Sequence, residues 1–475
     1  MSIELAHNTS VMDTVHGAIA LLDHEKSVID HPLFQRLRHI AQNDVLFLVF
    51  PGATHSRFAH SIGVMHVAQR MFHAMLDAAR YERKRLGLGE PGDAASAGVA
   101  YLASVLRLAA LLHDTGHGAF SHQMESAPAI RAMIDAEGQF ERLWAGVDVG
   151  GFYSQAPTHL EHEHYSIRSA HAILSERLPA GSESMVQDVL NVMETTDGGP
   201  SERFCAAASA AWGLIAPGTT APEGAGALVM GLLGDIISGE LDADKGDYLL
   251  RDSRYTGVAY GLYSLDNLAN NLRFGYQAQE QWLGIAVNRK GLPEFENFVL
   301  ARFGMFRHVY AHKTAIGFEI LLLRAINEVM EDASAAAQLS AMLSDIRHFA
   351  YLTDAFFWER FRARAMVDPV SASARLLARD KLPFLGGANA LDLAAKRKAA
   401  AAIAESTGVR LGDIQYRCSL ARFSAIGEDY RAIRVLVKGP GGERAYRPLV
   451  AESDFFGRFE SVERTNFYLD PPSAA

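Results

Sequence analysis

Between Val99 and Leu112 the chain carries apolar side chains on nearly every face of a helix, interrupted by the charge of Arg107. A helix without a polar stripe cannot lie on a surface, so this segment demands a surrounding layer of other helices. It is also shorter than the roughly 20 residues needed to cross a bilayer, so no membrane span is expected. At 475 residues the chain is long enough to supply that layer, and longer than one core usually organises. The expectation is a mainly α fold: a large helical body over 1–335 and a smaller C-terminal α+β lobe over 336–475.

Periodicity supplies the other elements. Ser56–Arg80 repeats apolar residues at helical spacing before Gly87–Gly92 breaks the pattern, and Glu163–Leu178, Ser184–Glu194 and Phe295–Val329 read as further helices. Gly213–Gly226 is rich in Gly, Pro, Thr and Ala and reads as a surface loop. From about Gln338 the character changes: Asp354–Met366 and Leu391–Ala404 are helical, while Tyr430–Val437 alternates as a strand. Lys438–Gly442 then makes a turn towards Tyr446–Val450, giving a hairpin.

Charge and cysteine content narrow the class. The net charge of -10 repels a nucleic-acid backbone, so nucleic acid is not an expected partner. Two cysteines, Cys205 and Cys418, argue against a disulfide framework and a Cys-based zinc site. The opening MSIELAHNTS has no basic segment leading into an apolar one, and the chain reads as cytoplasmic.

Eleven of the nineteen histidines fall between His55 and His171. The densest stretch, LLHDTGHGAFSH from Leu111 to His122, brings His113 and Asp114 to the end of the apolar helix. Adjacent helical residues point about 100° apart, so both reach one ion only if it sits close over the helix end. His60 in HSRFAHS and Asp244 in LDADKGDYLLRD complete a His-His-Asp-Asp set. Such a shell suits a borderline or hard divalent cation, which lowers the pKa of bound water and neutralises phosphoryl charge. Each of these residues alone is more often structural; their gathering points to a metal.

In that order, HSRFAHS, LLHDTGHGAFSH, EHEHYS and LDADKGDYLLRD resemble the motifs of HD-superfamily phosphohydrolases. More narrowly the chain resembles the SAM-and-HD-domain deoxynucleoside triphosphate triphosphohydrolases, without a SAM domain before the catalytic part. The likeness runs from MDTVHGAIAL to RHVYAHK. It implies an HD catalytic core, with His60, His113, Asp114 and Asp244 as ligands to Fe, Mn, Zn, Co, Ni or Mg, and a second Mg carried with the nucleotide. It implies His122 as the acid that protonates the leaving 5′-oxygen, oriented by Glu125 and His162. Arg57, His117, Lys245 and Arg302 match phosphate contacts, and Gln42, Tyr248, Asp252 and Tyr310 match the sugar wall. The implied reaction is water attack at the α-phosphorus, releasing deoxynucleoside and inorganic triphosphate. Glu125 stands where near relatives often have Asp. Asn43-Asp44 stands where they have an apolar residue and glycine, which bears on sugar preference. Asp30, Gln35 and Arg38 match positions that read an activating nucleotide at a subunit interface, implying a homo-oligomer, dimer or tetramer. The motifs leave open another HD chemistry (nucleotidase, phosphodiesterase or alarmone hydrolase) or a non-catalytic nucleotide sensor.

Overall fold

The apolar run is indeed enclosed. In the computed structural model, which describes residues 9–194, 198–389, 392–421, 433–438, 444–456 and 462–470, the central helix spans Asp93–Leu112 and every residue from Val105 to Leu112 is buried. The helices Arg57–Arg85, Glu183–Met193 and Glu202–Ile215 pack around it. By length and composition the central helix passes the test for a membrane span, but protein surrounds most of it.

Arg107, the interruption in the run, is fully buried against an equally buried Glu25. Its Nε donates to Glu25 Oε1 at 2.5 Å and its Nη2 to Oε2 at 2.6 Å, and it also reaches the Ala20 carbonyl and Gln69. Removing one partner of such a pair strands a charge in a low-dielectric interior. Glu25→Ala is therefore expected to lower unfolding free energy by about 3–5 kcal/mol, measured by denaturant unfolding; a loss near zero would mean that solvent reaches Arg107.

Among the described residues, three sheets accompany the helices. The strands β1 (Thr9–Asp13) and β2 (Gly17–Leu21) form an antiparallel hairpin before the helical body. The strands β3 (Leu272–Gln277), β4 (Trp282–Asn288), β7 (Ile433–Lys438) and β8 (Arg444–Pro448) lie in that order, with β4 parallel to β7. The strands β5 (Phe384–Ala388), β9 (Val462–Leu469) and β6 (Ile414–Ala421) make the third sheet. Strands from either side of residue 335 thus share one sheet. The main hydrophobic core also runs from the central helix through Leu339 and Phe361 to Val435 and Tyr468, whereas Ala400, Ile414 and Phe467 form a small cluster of their own.

Several boundaries differ from expectation. Phe295–Val329 is not one helix. It is a helix Leu292–Met305, a wide π-helical turn Phe306–Tyr310, and a second helix Lys313–Met330 started by His312. Apolar spacing continues through all three, so periodicity cannot register the inserted turn. The Gly213–Gly226 loop is shorter, because the preceding helix runs to Ile215 and the next begins at Ala225. β7 and β8 pair as a hairpin, Val437 opposite Ala445, but Leu449 begins a helical turn instead of extending the strand. Tyr430 and the Gly439–Gly442 part of the expected turn lie outside the described residues.

Candidate metal centre and substrate pocket

The site forms where the central helix ends. His113 caps it, and the Asp114–Gly118 turn that follows is pinned from beneath by Arg36, whose Nη2 donates to the carbonyls of Thr115 (2.7 Å) and His117 (2.6 Å). Gly116 is required there: a Cβ would run into the backbone of His162 and Ser166 on the helix His162–Arg177. Gly63 does the same on the helix Arg57–Arg85, leaving room for Asp247.

All four expected ligands converge. One donor atom each from His60, His113 and Asp114 lies within 4.8 Å of the others. Asp244, near the start of the helix Ala243–Thr256, brings Oδ1 to 2.9 Å from His60 Nε2 and 3.8 Å from His113 Nε2. Yet Nε2 of His60 and of His113 are both buried and make no hydrogen bond. Buried ring nitrogens aimed without partners at two carboxylates are what a divalent cation would satisfy, so the residues fit a metal.

The outer contacts fix the tautomers. His60 Nδ1 faces Asp247 Oδ2 at 2.8 Å, and His113 Nδ1 faces the Ala110 carbonyl at 2.8 Å, so both rings present Nε2 to the site. Asp247 is itself held by Arg251 (2.8 and 2.9 Å) and His16 (2.7 Å). Burial opposes a charge on His60, but Asp244 and Asp247 outweigh it and hold the imidazole up at about 10. Asp114 stays well below the usual carboxylate range despite its burial, because Arg57, His113 and His117 surround it.

Beside this cluster stand the three residues expected to move a proton. His122 Nδ1 lies 3.1 Å from Glu125 Oε1, and His162 Nδ1 lies 3.2 Å from the same oxygen. Burial would raise Glu125, but these two imidazoles pull it far below its ordinary value, so it remains an anion beneath His122. The backbone aims His122 under strain: Phe120 and Ser121 take φ of 54° and 56°, a region non-glycine residues avoid. Phe120 N donating to Asp354 at 2.7 Å and Ser121 Oγ donating to the Ala41 carbonyl at 2.8 Å hold that turn.

One pocket of about 510 Å³ contains most of the remaining positions: Gln42, Asn43, Arg57, His117, Tyr248, Asp252 and Tyr310 line it with the metal and histidine groups. That volume falls within the usual range for a small-molecule site. Tyr310 donates to Asp252 Oδ2 at 2.5 Å, and burial with the Asp252 charge lifts its phenol well above the usual value. Gln42 Oε1 and Asn43 Nδ2 are buried without partners. The Asn43-Asp44 departure is resolved by backbone: Asp44 has φ 40°, the conformation a glycine would favour, and its carboxylate takes a hydrogen bond from Gln123 at 3.3 Å. Asp44 does not line the pocket; Asn43 does.

Two expected phosphate contacts are not in that lining. Lys245 Nζ is bound to Asp242 (2.5 Å) and the Gly239 carbonyl (2.8 Å), and the charge of Arg302 is felt at Tyr248. Arg57 does line the pocket, but its guanidinium is engaged by Asp114 and Ser121. Of the regulatory positions, Arg38 Nε donates to Gln35 at 2.8 Å and lies 3.5 Å over the Phe58 ring, while the exposed Asp30 pairs with Lys26.

Sequence reasoning missed the supports. Asp247 lies three residues after Asp244, hence on a neighbouring helical face, and that spacing was a usable signal. His55, which bonds Asp252 Oδ1 at 2.7 Å and braces that carboxylate, sits inside a motif with no chemistry of its own to mark it. Arg36 and Asp354 act through backbone groups that no pattern reveals.

The HD domain model matches residues 57–149. The chain is 25% identical over 369 residues to the Homo sapiens deoxynucleoside triphosphate triphosphohydrolase SAMHD1, covering 74% of this chain and 50% of that protein. It is 25% identical over 350 residues to the Dictyostelium discoideum homolog of that enzyme (72% and 53%), and 26% identical over 356 residues to an uncharacterized protein of Methanocaldococcus jannaschii (74% and 57%). The chain thus spans about half the length of these relatives. A solved Bacteroides thetaiotaomicron phosphohydrolase shares its fold with TM-score 0.63 at 19% identity, over 98% of this chain and 100% of the other. A hypothetical protein from Aquifex aeolicus does so with TM-score 0.64 at 21% identity, over 97% and 96%.

Proposed function

We propose, on the premise that this is an HD-domain protein, that it is a metal-dependent phosphohydrolase that cleaves deoxynucleoside triphosphates to deoxynucleoside and inorganic triphosphate. One observation carries the reading: a single pocket joins His113, Asp114 and Asp244, which cluster with the buried His60, to His122 and a Tyr248–Asp252–Tyr310 wall. A divalent ion held by the four ligands would supply Lewis-acid stabilisation of phosphoryl charge and a more acidic water.

The chain's own residues do the rest. Glu125 holds the Nδ1 side of His122, leaving Nε2 to protonate the departing 5′-oxygen. His117, kept neutral by burial and by Arg57, lines the pocket as a proposed phosphate contact. Tyr310, anchored through Asp252 to His55, presents a fixed aromatic edge to the sugar. Asp30, Gln35 and Arg38 are proposed to read an activating nucleotide at a contact between copies of the chain; the support is the seating of Arg38 on Phe58, next to Arg57.

The engagement of Lys245 with Asp242 favours a second reading, an HD enzyme acting on a nucleoside monophosphate, because that lysine is not free to clamp a distal phosphate. Hydrolysis of each deoxynucleotide in ¹⁸O-labelled water separates the two. Attack at the α-phosphorus of a triphosphate is expected to place the label in intact inorganic triphosphate and leave the nucleoside unlabelled. Labelled orthophosphate, or a nucleoside mono- or diphosphate as first product, would give the rival chemistry.

A further inference from the structure

Beside the four expected ligands lies a second group of donors. His117, His122 and His162 each offer one ring nitrogen, all within 4.8 Å of one another. His117 stacks on His162 at 3.9 Å between centroids, and His122 stands edge-on to both at 4.6 and 4.8 Å.

From this geometry we infer a second, inhibitory transition-metal site, in which His117, His122 and His162 bind one ion of the zinc, nickel or copper class. Imidazole is the preferred ligand of those ions, and three imidazoles with an open position make a common zinc shell. His122 Nδ1 faces Glu125 at 3.1 Å, which leaves its Nε2 outward. His162 Nδ1 stands 3.2 Å from the same carboxylate but is buried with no hydrogen bond. His117 Nε2 faces Asp114 at 3.2 Å, while its Nδ1 is buried with no hydrogen bond although the residue is only 1% exposed. An unpartnered buried nitrogen costs free energy that a ligand recovers.

Charge points the same way. Asp114, Asp244, Glu125 and Glu163 all stand against the histidines of the two groups. One divalent ion on the His60 cluster leaves this region negative, and a second is attracted. Nitrogens around a tetrahedral zinc lie roughly 3.4 Å apart, so the rings must close slightly. The side chain of His122 is 61% exposed, so it has room to adjust. Once bound, the ion occupies the lone pair that otherwise carries the proton for the leaving group, which turns the acid off. This consequence rests on the proposed function; the binding site does not.

The full-length protein is loaded with zinc, passed through gel filtration and assayed for metal by mass spectrometry, with folding checked by circular dichroism. Wild type is expected to hold two equivalents, His122→Ala and Asp244→Ala one each, and the double variant none. His122→Ala is chosen because an exposed side chain can be truncated without disturbing the core. One equivalent in wild type, or two retained in His122→Ala, overturns the site. Zinc beyond the first equivalent is also expected to suppress deoxynucleotide hydrolysis. If zinc stoichiometry behaves as stated but no deoxynucleotide is hydrolysed, the functional reading falls and the site stands.

Discussion

Asp114→Ala is expected to abolish both metal retention and hydrolysis. Asp114 serves two directions at once: Oδ1 faces His113 Nε2 at 3.4 Å and His117 Nε2 at 3.2 Å, while Oδ2 meets Arg57 and lies 3.6 Å from His60 Nε2. Its removal takes one of two carboxylates from the ligand set and leaves the buried Arg57 charge facing imidazoles instead of an anion. A divalent ion would then be both under-coordinated and repelled. Asp114→Asn keeps the shape but not the charge and is expected to lose the metal as well, which separates the electrostatic loss from collapse of the turn. Metal analysis with an assay of deoxynucleotide hydrolysis tests this. A folded variant that keeps one tightly held ion and full turnover would remove Asp114 from the site.

His122→Ala is expected to behave in the opposite way at the first metal. The centre formed by His60, His113, Asp114 and Asp244 contains no atom of His122, so its ion is retained and substrate still binds. Turnover falls, because a positioned general acid contributes ~10²–10⁴-fold. The placement of His122 over Glu125, on a turn strained at Phe120 and Ser121, is the structural reason to assign it that task. Steady-state kinetics should show the loss in kcat with KM little changed. Loss of the first ion, or a purely KM effect, would make His122 a ligand or a substrate contact instead of the acid.

How much of this was legible without coordinates varies with the kind of interaction. The central helix was readable because an apolar surface on all sides has one physical solution, enclosure, and Val105–Leu112 are enclosed. The ligands His60, His113, Asp114 and Asp244 were readable because donor type and motif order survive in one dimension. Their supports were less so. Asp247 carried a helical-spacing signal, whereas Arg36 and Asp354 act through carbonyl and amide groups that every residue possesses. The π-helical turn Phe306–Tyr310, which brings Tyr310 to Asp252, was invisible because apolar periodicity runs across it unbroken.

The amino-acid sequence by itself therefore determined the helical class, the enclosed helix and the donor types of the candidate metal cluster, all properties carried by residue type and local period. Only the tertiary structure decided which charges are free to act. Lys245 turned to Asp242, Asp44 turned away from the pocket to Gln123, and three histidines separated by up to 45 positions stacked into one cluster (His117 to His162). A side chain's availability depends on what else is within hydrogen-bonding reach, and that is a property of distance in the fold rather than of position along the chain.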